Sequence, residues 1–451
     1  MRLKLFGCVA LLLAPAAVGQ EAPGGPHLYS LDEAVAVALS HNPRLKVTRL
    51  QESWHRDAAH AARGHLLPAV KLGASYDYVR ANEGLSFAAL TPGGMNPNTP
   101  TPPPYRINFW GGDASVTVAQ PLLGLFHLSQ DAAADASVAN AAGADVQTGE
   151  DELRAEIEYG YLSLFEARAE EGIAKASEAQ LGEQLTVAQA KFKDGALTHA
   201  DVLRFQVAAA NAAQQGLQAK VQEENARDQL LGLLGLAGAA NREAVDFGDP
   251  TDTLSRRPLP SQSDDLEAAF AQDHRPELSS ALFTSDAAWH RKQARYLELL
   301  PELTASYSYY RLLNTPAAFP SDIELVGFSA SWNLWDFGAT YYAAHAAGEQ
   351  FEAAAANHEA VRQQVAVEVR TRQAQERAAA SAIQVASETI AQAEEAFRVT
   401  EATVRAGAAT TTDLLDAQAA LTQARLNLIR SKYEELRARS ALFRALGSGR
   451  G

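Results

Sequence analysis

Alternating apolar and polar positions mark short strands in both halves of the chain. In the first half every second residue is apolar from Val70 to Tyr78, and in the second half the same alternation runs from Val326 to Leu334. A period of two is the pattern of a strand with one apolar face. Each strand has about 10 residues, a length that crosses a bilayer when the strand is tilted. The pattern predicts two strands in each half, with aromatic residues clustered near them.

Long uninterrupted helical segments fill most of the remaining chain. Between about residues 126 and 193, and again between 339 and 405, there is no proline and there are few glycines. At 1.5 Å per residue, each segment is on the order of 100 Å long. Apolar residues recur every seven positions in the second segment, at Ile383, Ile390, Phe397 and Val404. This heptad spacing is typical of coiled coils, and a soluble β-sandwich would not explain so much helix beside so few strands.

Each long segment ends in a glycine turn that is followed by a second helix. The stretches VRAGAATTTDLLDAQ (404–418) and FKDGALTHADVLRFQ (192–206) share residues in register, 212 positions apart. The shared pairs are Gly195/Gly407, Ala196/Ala408, Thr198/Thr410, Asp201/Asp413, Leu203/Leu415 and Gln206/Gln418. The turns are therefore predicted to be the tips of two helical hairpins.

The turns belong to a duplication of nearly the whole chain. SLDEAVAVALSHNPRL (30–45) returns as DDLEAAFAQDHRPEL (264–278), and LLPAVKLGASYDY (66–78) returns as LLPELTASYSYY (299–310). Each half predicts a helix, a strand, a loop, a strand, a long helix, a turn and a helix. The first helix begins at a capping box, Ser30 to Glu33, and we expect it to end near Gly64. We predict a first repeat at residues 30–240, a linker at 241–262 and a second repeat at 263–447.

The first residues and the charge restrict where the protein works. Arg2 and Lys4 precede an apolar run and then small residues, which predicts a cleaved signal peptide at residues 1–19. The only cysteine, Cys8, lies in that segment, so the mature chain has no disulfide chemistry. The net charge of −15 argues against nucleic-acid binding. No later apolar run is long enough for a spanning helix, so we expect an exported protein without one.

Four spanning strands cannot close a barrel, because a membrane does not tolerate open sheet edges. Closure therefore needs strands from several copies of the chain. Two copies would supply about 8 strands, whose side chains fill the bore, and three would supply about 12, enough to begin conducting. The long helices would then continue the barrel as a helical tube, with Gly195 and Gly407 at its far end.

The ordered anchors resemble those of the TolC-type outer-membrane efflux proteins. The resemblance rests on the anchors at Pro43 and Pro276, the LLP segments before the strands and the paired G-x5-D-[VL]-L turns, and it covers roughly residues 30–447. It implies an α+β membrane protein: a homotrimer with a 12-stranded outer-membrane β-barrel, four strands per chain, continued by a coiled-coil α-helical periplasmic tunnel. It also implies the exit duct of a tripartite efflux pump or a type I secretion system. The implied partners are a periplasmic adaptor, an inner-membrane pump and outer-membrane lipid, and neither a cofactor nor a catalytic residue is expected.

The resemblance assigns a periplasmic gate to residues that follow the two turns. Asp413 and Asp416 match the family's aspartates at the periplasmic aperture, and Asp201 matches an aspartate that helps to hold the closed state. Because Asp413 and Asp416 are three positions apart, both project from one helix face. In a threefold assembly these carboxylates would attract cations and raise some of their own pKa values. Arg204 stands where the second repeat has Asp416, and closure would rest on its contact with a neighbouring aspartate. Helix capping by Asp413 is the alternative.

The turn residues match the positions by which the family's hairpin tips meet the adaptor. They are Gly195, Ala196, Leu197, Gly407 and Ala408. The alternative is that the glycines only end their helices. Val404 and Ala409 stand where the family's prototype has a tyrosine and an arginine, so the charged lock of that prototype is missing here.

Two other classes of protein compete with a channel. A periplasmic coiled-coil adaptor or scaffold would explain the hairpins and the signal peptide, but not the duplicated strands. An enzyme is unsupported, because no acid, base or nucleophile pattern converges. His55, His60 and His65 are five positions apart and scatter around their helix, so we expect no metal site. The stretch at 91–106, rich in Pro, Gly and Asn, predicts a loop that faces the cell exterior.

Overall fold

The computed structural model of the protein describes residues 27–81, 107–238, 244–257, 264–314 and 321–447. The predicted signal peptide, including Cys8, and the predicted exterior loop at 91–106 lie outside the described residues, so both stay predictions. Among the described helices, none is both long enough and apolar enough to cross a membrane.

Two long helices, each followed by a shorter one, dominate the described chain. The helices are α1 (Leu31–His41), α2 (Pro43–Gly64), α3 (Gly124–Lys193), α4 (His199–Leu233), α5 (Thr251–Ser255), α6 (Asp264–His274), α7 (Pro276–Leu297), α8 (Ala339–Arg405) and α9 (Thr411–Ala445). The strands are β1 (His27–Tyr29), β2 (Ala69–Ala81), β3 (Ile107–Pro121), β4 (Val245–Phe247), β5 (Glu302–Leu313) and β6 (Asp322–Ser331). The long helices and the hairpins are therefore confirmed.

Four strands form one antiparallel sheet in the order β2, β3, β5, β6, with lengths of 13, 15, 12 and 10 residues. An apolar row crosses the sheet at Val70, Val118, Tyr307 and Val326. The adjacent row, on the other face, holds Lys71, Thr117, Ser308 and Leu325. Because residues that oppose each other share a face, one face of the sheet is apolar. That face is exposed in the single chain, with Leu72 at 81% and Phe328 at 75%.

The last strand is shorter than its alternation predicts. The period-two pattern continues to Leu334, but β6 ends at Ser331. Trp332 donates its indole N–H to the carbonyl oxygen of Leu299 at 3.2 Å, and the segment after it leads into α8. The apolar residues of that turn keep the two-residue spacing of the strand, so periodicity alone predicts a longer strand than the structure has.

The prediction of a single helix from Ser30 to near Gly64 is wrong, because the structure has two helices there. Proline at the first position of α2 has no N–H to continue the ladder of α1, so a new helix begins there. Asn42 caps it by accepting hydrogen bonds from the N–H groups of Arg44 (2.8 Å) and Leu45 (3.3 Å). The same break recurs in the second half, where Arg275 precedes Pro276 and α6 ends at His274.

The predicted linker at 241–262 contributes structure that the sequence did not indicate. Within it, β4 pairs in parallel with β1, and both Val245 and Phe247 are buried. Asp246 accepts a hydrogen bond from Arg168 at 2.7 Å, and the backbone carbonyl of Val245 accepts one from Arg227 at 2.6 Å. A three-residue strand is too short for its periodicity to be recognised.

The described residues pack into two compact units, and each combines segments of both repeats. One contains the described parts of Met1–His41, Glu156–Arg257 and Ala386–Leu436. Its fully buried residues include Ile157, Tyr161, Leu162, Leu164, Leu230 and Leu234. The Tyr161 hydroxyl donates to the carbonyl oxygens of Tyr29 and Ser30, and its burial raises the pKa of Tyr161. This unit contains both hairpin tips.

The other unit contains the four-stranded sheet and spans the described parts of Asn42–Ala155, Pro258–Val385 and Arg437–Gly451. Apolar residues of α6, α7, α8 and α9 form its core, among them Ala271, Val369 and Leu446. Arg275 is buried there, where it bonds Glu277 and Glu368 and donates to the carbonyl oxygen of Ala445. These partners compensate the desolvation of its charge.

Candidate functional site

The first hairpin tip joins α3 to α4 by two standard caps. Gly195 has a φ of +74°, and its N–H bonds the carbonyl of Phe192, while the N–H of Ala196 bonds the carbonyl of Lys191 at 2.8 Å. These two bonds are a Schellman motif, which ends a helix at a left-handed residue. Thr198 then begins α4 in a capping box with Asp201.

The second tip repeats this hydrogen-bond pattern residue for residue. Gly407 also has a φ of +74°, and the N–H of Ala408 bonds the carbonyl of Thr403 at 2.9 Å. The Thr410 N–H and hydroxyl donate to the carboxylate of Asp413 at 2.8 and 2.7 Å, and the Asp413 N–H donates back to the Thr410 hydroxyl at 3.2 Å. In the single chain Asp413 therefore caps α9, and its role in the gate stays a prediction.

Asp201 also joins the first tip to the second, within the same compact unit. The hydroxyl of Thr411, which is buried, donates to the Asp201 carboxylate at 2.6 Å. Arg204, three positions further along α4, lies 3.5 Å from the same carboxylate, and its part in closing the channel stays a prediction. Hydrogen bonds from Thr198 and then Thr411 hold the pKa of Asp201 below its usual range, and the charge of Arg204 adds to the effect.

Asp413 and Asp416 are both exposed on α9. Within the described residues, neither forms an ion pair, so their charge faces solvent. Mutual repulsion was expected to raise carboxylate pKa values here, but in the single chain the hydrogen bonds from Thr410 lower the pKa of Asp413. The predicted repulsion needs several copies of the chain around one axis, whereas a single chain supplies only the hydrogen-bond donors that lower the pKa.

An apolar cluster lies behind the two tips and joins all four hairpin helices. Ala188, Phe205 and Leu414 are buried in it, and Leu185, Leu197, Phe397, Val404 and Leu415 pack against them. Val404, which replaces the tyrosine of the family's prototype, therefore belongs to this packing. Leu197 is half-buried for the same reason, so only part of this predicted adaptor residue is accessible.

The remaining predicted adaptor residues are open to solvent. Gly195, Ala196, Gly407 and Ala408 are all exposed. A Cβ atom added at Gly195 or Gly407 would meet nothing within 4 Å. Their positive φ still favours glycine, so the backbone explains these glycines without reference to a partner.

The threonines at the tips are functional candidates that the sequence analysis did not single out. Thr198 and Thr410 complete the capping boxes, and Thr411 makes the bond between the tips. The spacing of threonine three positions before aspartate could have identified the first two. Nothing in the sequence marks Thr411, because its partner Asp201 lies 210 positions away.

A cavity of about 470 Å³ lies further along the same helices. Its walls come from α3, α4 and α9 and include Ser177, Asn211, Gln215, Gln418 and Thr422. Gln418 is buried and donates to Gln180 at 2.9 Å. Within the part of the chain that the structure describes, no group of three or more His, Cys, Asp or Glu side chains is arranged to hold a metal ion.

Comparison with protein families matches the chain to the outer membrane efflux protein family over residues 34–236 and 270–448. Comparison with curated proteins finds no match. Among solved structures, the outer membrane protein VceC of Vibrio cholerae is 17% identical with a TM-score of 0.78, covering 92% of this chain and 96% of that one. CusC is 14% identical with a TM-score of 0.80, covering 95% of each chain. The Campylobacter jejuni CmeC outer membrane channel is 16% identical with a TM-score of 0.75, covering 93% of this chain and 86% of that one.

The chain belongs to the outer membrane efflux protein family, because the family match extends over most of both repeats. The structural matches show that it has the TolC-like fold of long helices and short strands in two repeats. The protein is an outer-membrane efflux channel, which is a transport protein and not an enzyme. Membership in this family also excludes the alternative of a periplasmic coiled-coil adaptor or scaffold.

Proposed function

We propose that three copies of this chain form one exit duct through the outer membrane and into the periplasm. The duct would receive substrates from an inner-membrane pump through a periplasmic adaptor. The observation that supports this proposal best is that the single chain leaves two kinds of edge unsatisfied, one in the sheet and one on the hairpin helices.

The first kind of edge is the pair of outer strands, β2 and β6. Three antiparallel steps separate them, so they run in opposite directions, and β6 of one copy can pair with β2 of the next in the same pattern. In a bilayer every unpaired backbone group costs several kcal/mol, so closure is strongly favoured. Three copies supply about 12 strands, whose bore is wider than the side-chain-filled bore of about 8.

The second kind of edge is a heptad seam on α4. Its residues are spaced alternately by four and three positions and all are exposed: Leu203, Val207, Ala210, Gln214, Leu217 and Val221. Val207 and Leu217 are 61% and 69% exposed, which is unfavourable for large apolar side chains. This spacing is the a/d pattern of a coiled coil. A different stripe of α4, with Val202, Phe205 and Ala212, is buried within the chain.

A matching seam lies on α8 of the same unit. Gln392, Ala396 and Val399 are exposed and spaced by four and three positions. Ala210 follows the start of α4 by 11 residues, and Ala396 precedes the end of α8 by nine, so both lie about 15 Å from their tips. The α4 seam of one copy can therefore pack antiparallel on the α8 seam of the next. The contact joins different surfaces, so repeating it generates a ring when the rotation between copies closes after three.

Cysteine cross-linking tests this arrangement directly. Ala210→Cys combined with Ala396→Cys should form disulfide-linked dimers and trimers under mild oxidation, because facing positions of a seam fall within disulfide range. Each single variant is the matched control and should stay unlinked, because the contact joins unlike surfaces. Signal-peptide removal would leave no native cysteine to interfere. A monomer by mass measurement in mild detergent, with intact β-signal, would contradict the proposal.

The tips and the gate residues complete the proposed duct. The exposed Gly195, Ala196, Gly407 and Ala408, with part of Leu197, would contact the adaptor. Asp413, Asp416, Asp201 and Arg204 would form the periplasmic gate. What supports this assignment is that these residues lie at the hairpin tips, which are the end of the helices furthest from the sheet along the chain.

The cargo is proposed to be small toxic molecules, with proteins exported by type I secretion as the second candidate. Deletion of the gene should sensitise the cell to a panel of toxic compounds. Unchanged sensitivity together with the loss of a secreted protein from the medium would favour the second candidate.

A further inference from the structure

A groove of about 920 Å³ runs along α2, α3 and α7, all within the compact unit that contains the four-stranded sheet. Three arginines of α2 line it at intervals of seven residues, which is two helical turns, so they lie on one helix face. They are Arg49, Arg56 and Arg63. Much of the wall that α3 supplies consists of small residues, which take up little of the space: Ala136, Ala139, Gly143 and Ala144. We refer to this cavity as the arginine groove.

The carboxylates of the arginine groove do not balance its positive charge. They are Glu52 and Glu150, against three arginines. Arg49 donates to Glu150 at 2.8 Å, and Arg56 donates to Glu52 on its own helix. Arg63 is exposed and forms no ion pair with any residue that the structure describes. The groove therefore has a local positive surplus, although the chain as a whole carries a net charge of −15.

The second repeat does not have these arginines. Because α2 and α7 both have 22 residues and both begin at a proline, their positions correspond one to one. The equivalent residues of α7 are Leu282, Trp289 and Tyr296, which are 47%, 42% and 43% exposed. A helix at this place in the repeat therefore folds and packs without a basic face. The fold alone does not explain why α2 has one.

We propose that the arginine groove binds an anion with two phosphate groups, held by Arg56 and Arg63. A planar guanidinium can donate two parallel N–H bonds to the oxygens of one phosphate. Arg56 and Arg63 are separated by about 10 Å along α2, so an anion that reaches both needs charge at two points. His60 lies between them, lines the same groove and adds an N–H donor. The groove lies within one chain, so the inference does not depend on the proposed trimer.

Two sources can supply such an anion: a soluble diphosphate ester and the headgroup of a phospholipid with two phosphates. Basic pockets beside a membrane bind headgroups of this kind. Arg63 lies close to the end of α2, and β2 begins at Ala69. If the sheet spans the bilayer as proposed, headgroups lie near this end of the groove. Only the lipid source rests on that proposal.

Titration calorimetry with inorganic pyrophosphate tests the soluble source, with the purified protein in nonionic detergent at low salt. One pyrophosphate should bind per chain. Arg56→Gln combined with Arg63→Gln should weaken the affinity by roughly 100-fold, because each hydrogen bond between charged groups contributes about tenfold.

Arg398→Gln combined with Arg405→Gln is the matched control. These two arginines are also seven positions apart, on α8, and each pairs within that helix, with Glu395 and Glu401. Their loss should leave the affinity close to that of the wild type. Equal weakening by both pairs of substitutions would show that only net charge attracts the anion, and it would overturn the site.

Native mass spectrometry tests the lipid source, with equal amounts of cardiolipin and phosphatidylcholine added to the detergent. If a headgroup is the ligand, the wild type and the α8 control should retain cardiolipin, and the variant without Arg56 and Arg63 should lose most of it. Arginine-dependent binding of pyrophosphate alone would assign the soluble source, and arginine-dependent retention of cardiolipin alone would assign the lipid. If neither probe depends on the two arginines, the proposal is wrong.

Two further variants test the geometry with the probe that binds. Glu52→Gln frees Arg56 and removes a nearby carboxylate, so it should strengthen binding by roughly threefold, a gain that misfolding cannot produce. Arg63→Lys keeps the charge without the planar fork, so the affinity should fall part of the way. Unchanged affinity in Glu52→Gln would overturn the part of Arg56, and full affinity in Arg63→Lys would overturn recognition by a guanidinium.

Discussion

The first and second hairpin tips have the same backbone and different charges. Each tip has a glycine at a φ of +74°, a Schellman motif and a threonine–aspartate capping box. In the first tip, Asp201 also bonds Thr411 and lies beside Arg204. In the second tip, Asp416 replaces the arginine, and both of its aspartates face solvent.

This difference shows which features a duplicated turn must keep and which it can change. The caps satisfy backbone groups that each helix end leaves without partners, so both copies of the turn retain them. The exposed charges satisfy no such requirement and can diverge. We therefore interpret the first tip as the one that holds the two hairpins of a chain together, and the second as the one that presents negative charge to other copies or to ions.

The largest expected effect is the loss of adaptor contact when either turn glycine is changed. Gly195→Asp and Gly407→Asp each add a charged side chain in open space, at a conformation that aspartate tolerates. If these glycines lie at the centre of the contact, each change should cost about 2 kcal/mol of binding, or ~30-fold in affinity. Sensitivity to toxic compounds should rise, while the trimer yield should stay unchanged.

Gly172→Asp is the matched control for these two variants. Gly172 lies within α3, is exposed and has open space around its Cα. The same substitution there should leave sensitivity close to that of the wild type. If the tip variants lose the trimer instead, the glycines serve folding and the adaptor assignment is wrong.

The next largest effect concerns the bond between the tips. Thr411→Val keeps the shape of the side chain and removes the hydroxyl that donates to Asp201 at 2.6 Å. A hydrogen bond to a charged group is worth about 1.5–3 kcal/mol, and we expect the lower part of that range because Asp201 keeps its bonds to Thr198. Amide hydrogen exchange in the first turn of α9 should accelerate by roughly tenfold. Thr412→Val, at the exposed neighbouring position, should change it little.

Much of the fold could be predicted from the sequence because local patterns determine it. The alternation in β2, the heptads of α8 and the glycine turns each depend on residues close together in the chain. The β1–β4 pair could not be predicted in this way, because it joins residues more than 200 positions apart through three-residue strands. The break before Pro43, in contrast, follows from a local rule, because proline cannot continue the hydrogen-bond ladder of the preceding helix.

The candidate site was predictable only in part, for a related reason. The caps that the aspartates and glycines of the tips make follow from local motifs, whereas their assignment to a gate and an adaptor contact stays a prediction. The bond from Thr411 to Asp201 needs the packing of two hairpins, and one sequence carries no sign of that contact. Gln206 and Gln418 occupy equivalent positions, but Gln206 is exposed and Gln418 is buried. Repeat symmetry therefore predicted the backbone better than the environment of a side chain.

A smaller effect is expected when the negative charge of the second tip is removed. Asp413→Asn with Asp416→Asn keeps the side-chain shapes and removes two carboxylates per chain. Cation-over-anion selectivity in planar bilayers should fall by roughly threefold, since a change of one kT in local potential already alters ion concentration by that factor. Block by multivalent cations from the periplasmic side should weaken as well.

The control for the selectivity change is Glu401→Gln. This substitution removes one charge from the same hairpin, but from a carboxylate on α8 that already pairs with Arg405 at 2.6 Å. Its effect on selectivity should be smaller than that of the double variant. Unchanged selectivity and unchanged block in the double variant would mean that Asp413 only caps its helix.

The smallest expected effect is the response of the tips to mild acid. The folded-state pKa values of Asp201 and Asp413 lie below the ordinary value of 3.8, mainly because Thr198 and Thr410 donate hydrogen bonds to their carboxylates. A lowered pKa stabilises the folded tip fully above the ordinary value, and this stabilisation is lost as pH falls through the folded value. Asp201→Asn removes the carboxylate that is stabilised in this way. The amide exchange rates of α9 in this variant, divided by those of the wild type, should therefore give a constant ratio from pH 8 to about pH 5. The ratio should approach one only below pH 3.8. Cation selectivity should likewise persist to about pH 5. If selectivity declines between pH 7 and 5, repulsion between copies has raised the pKa of Asp413 above that of the single chain.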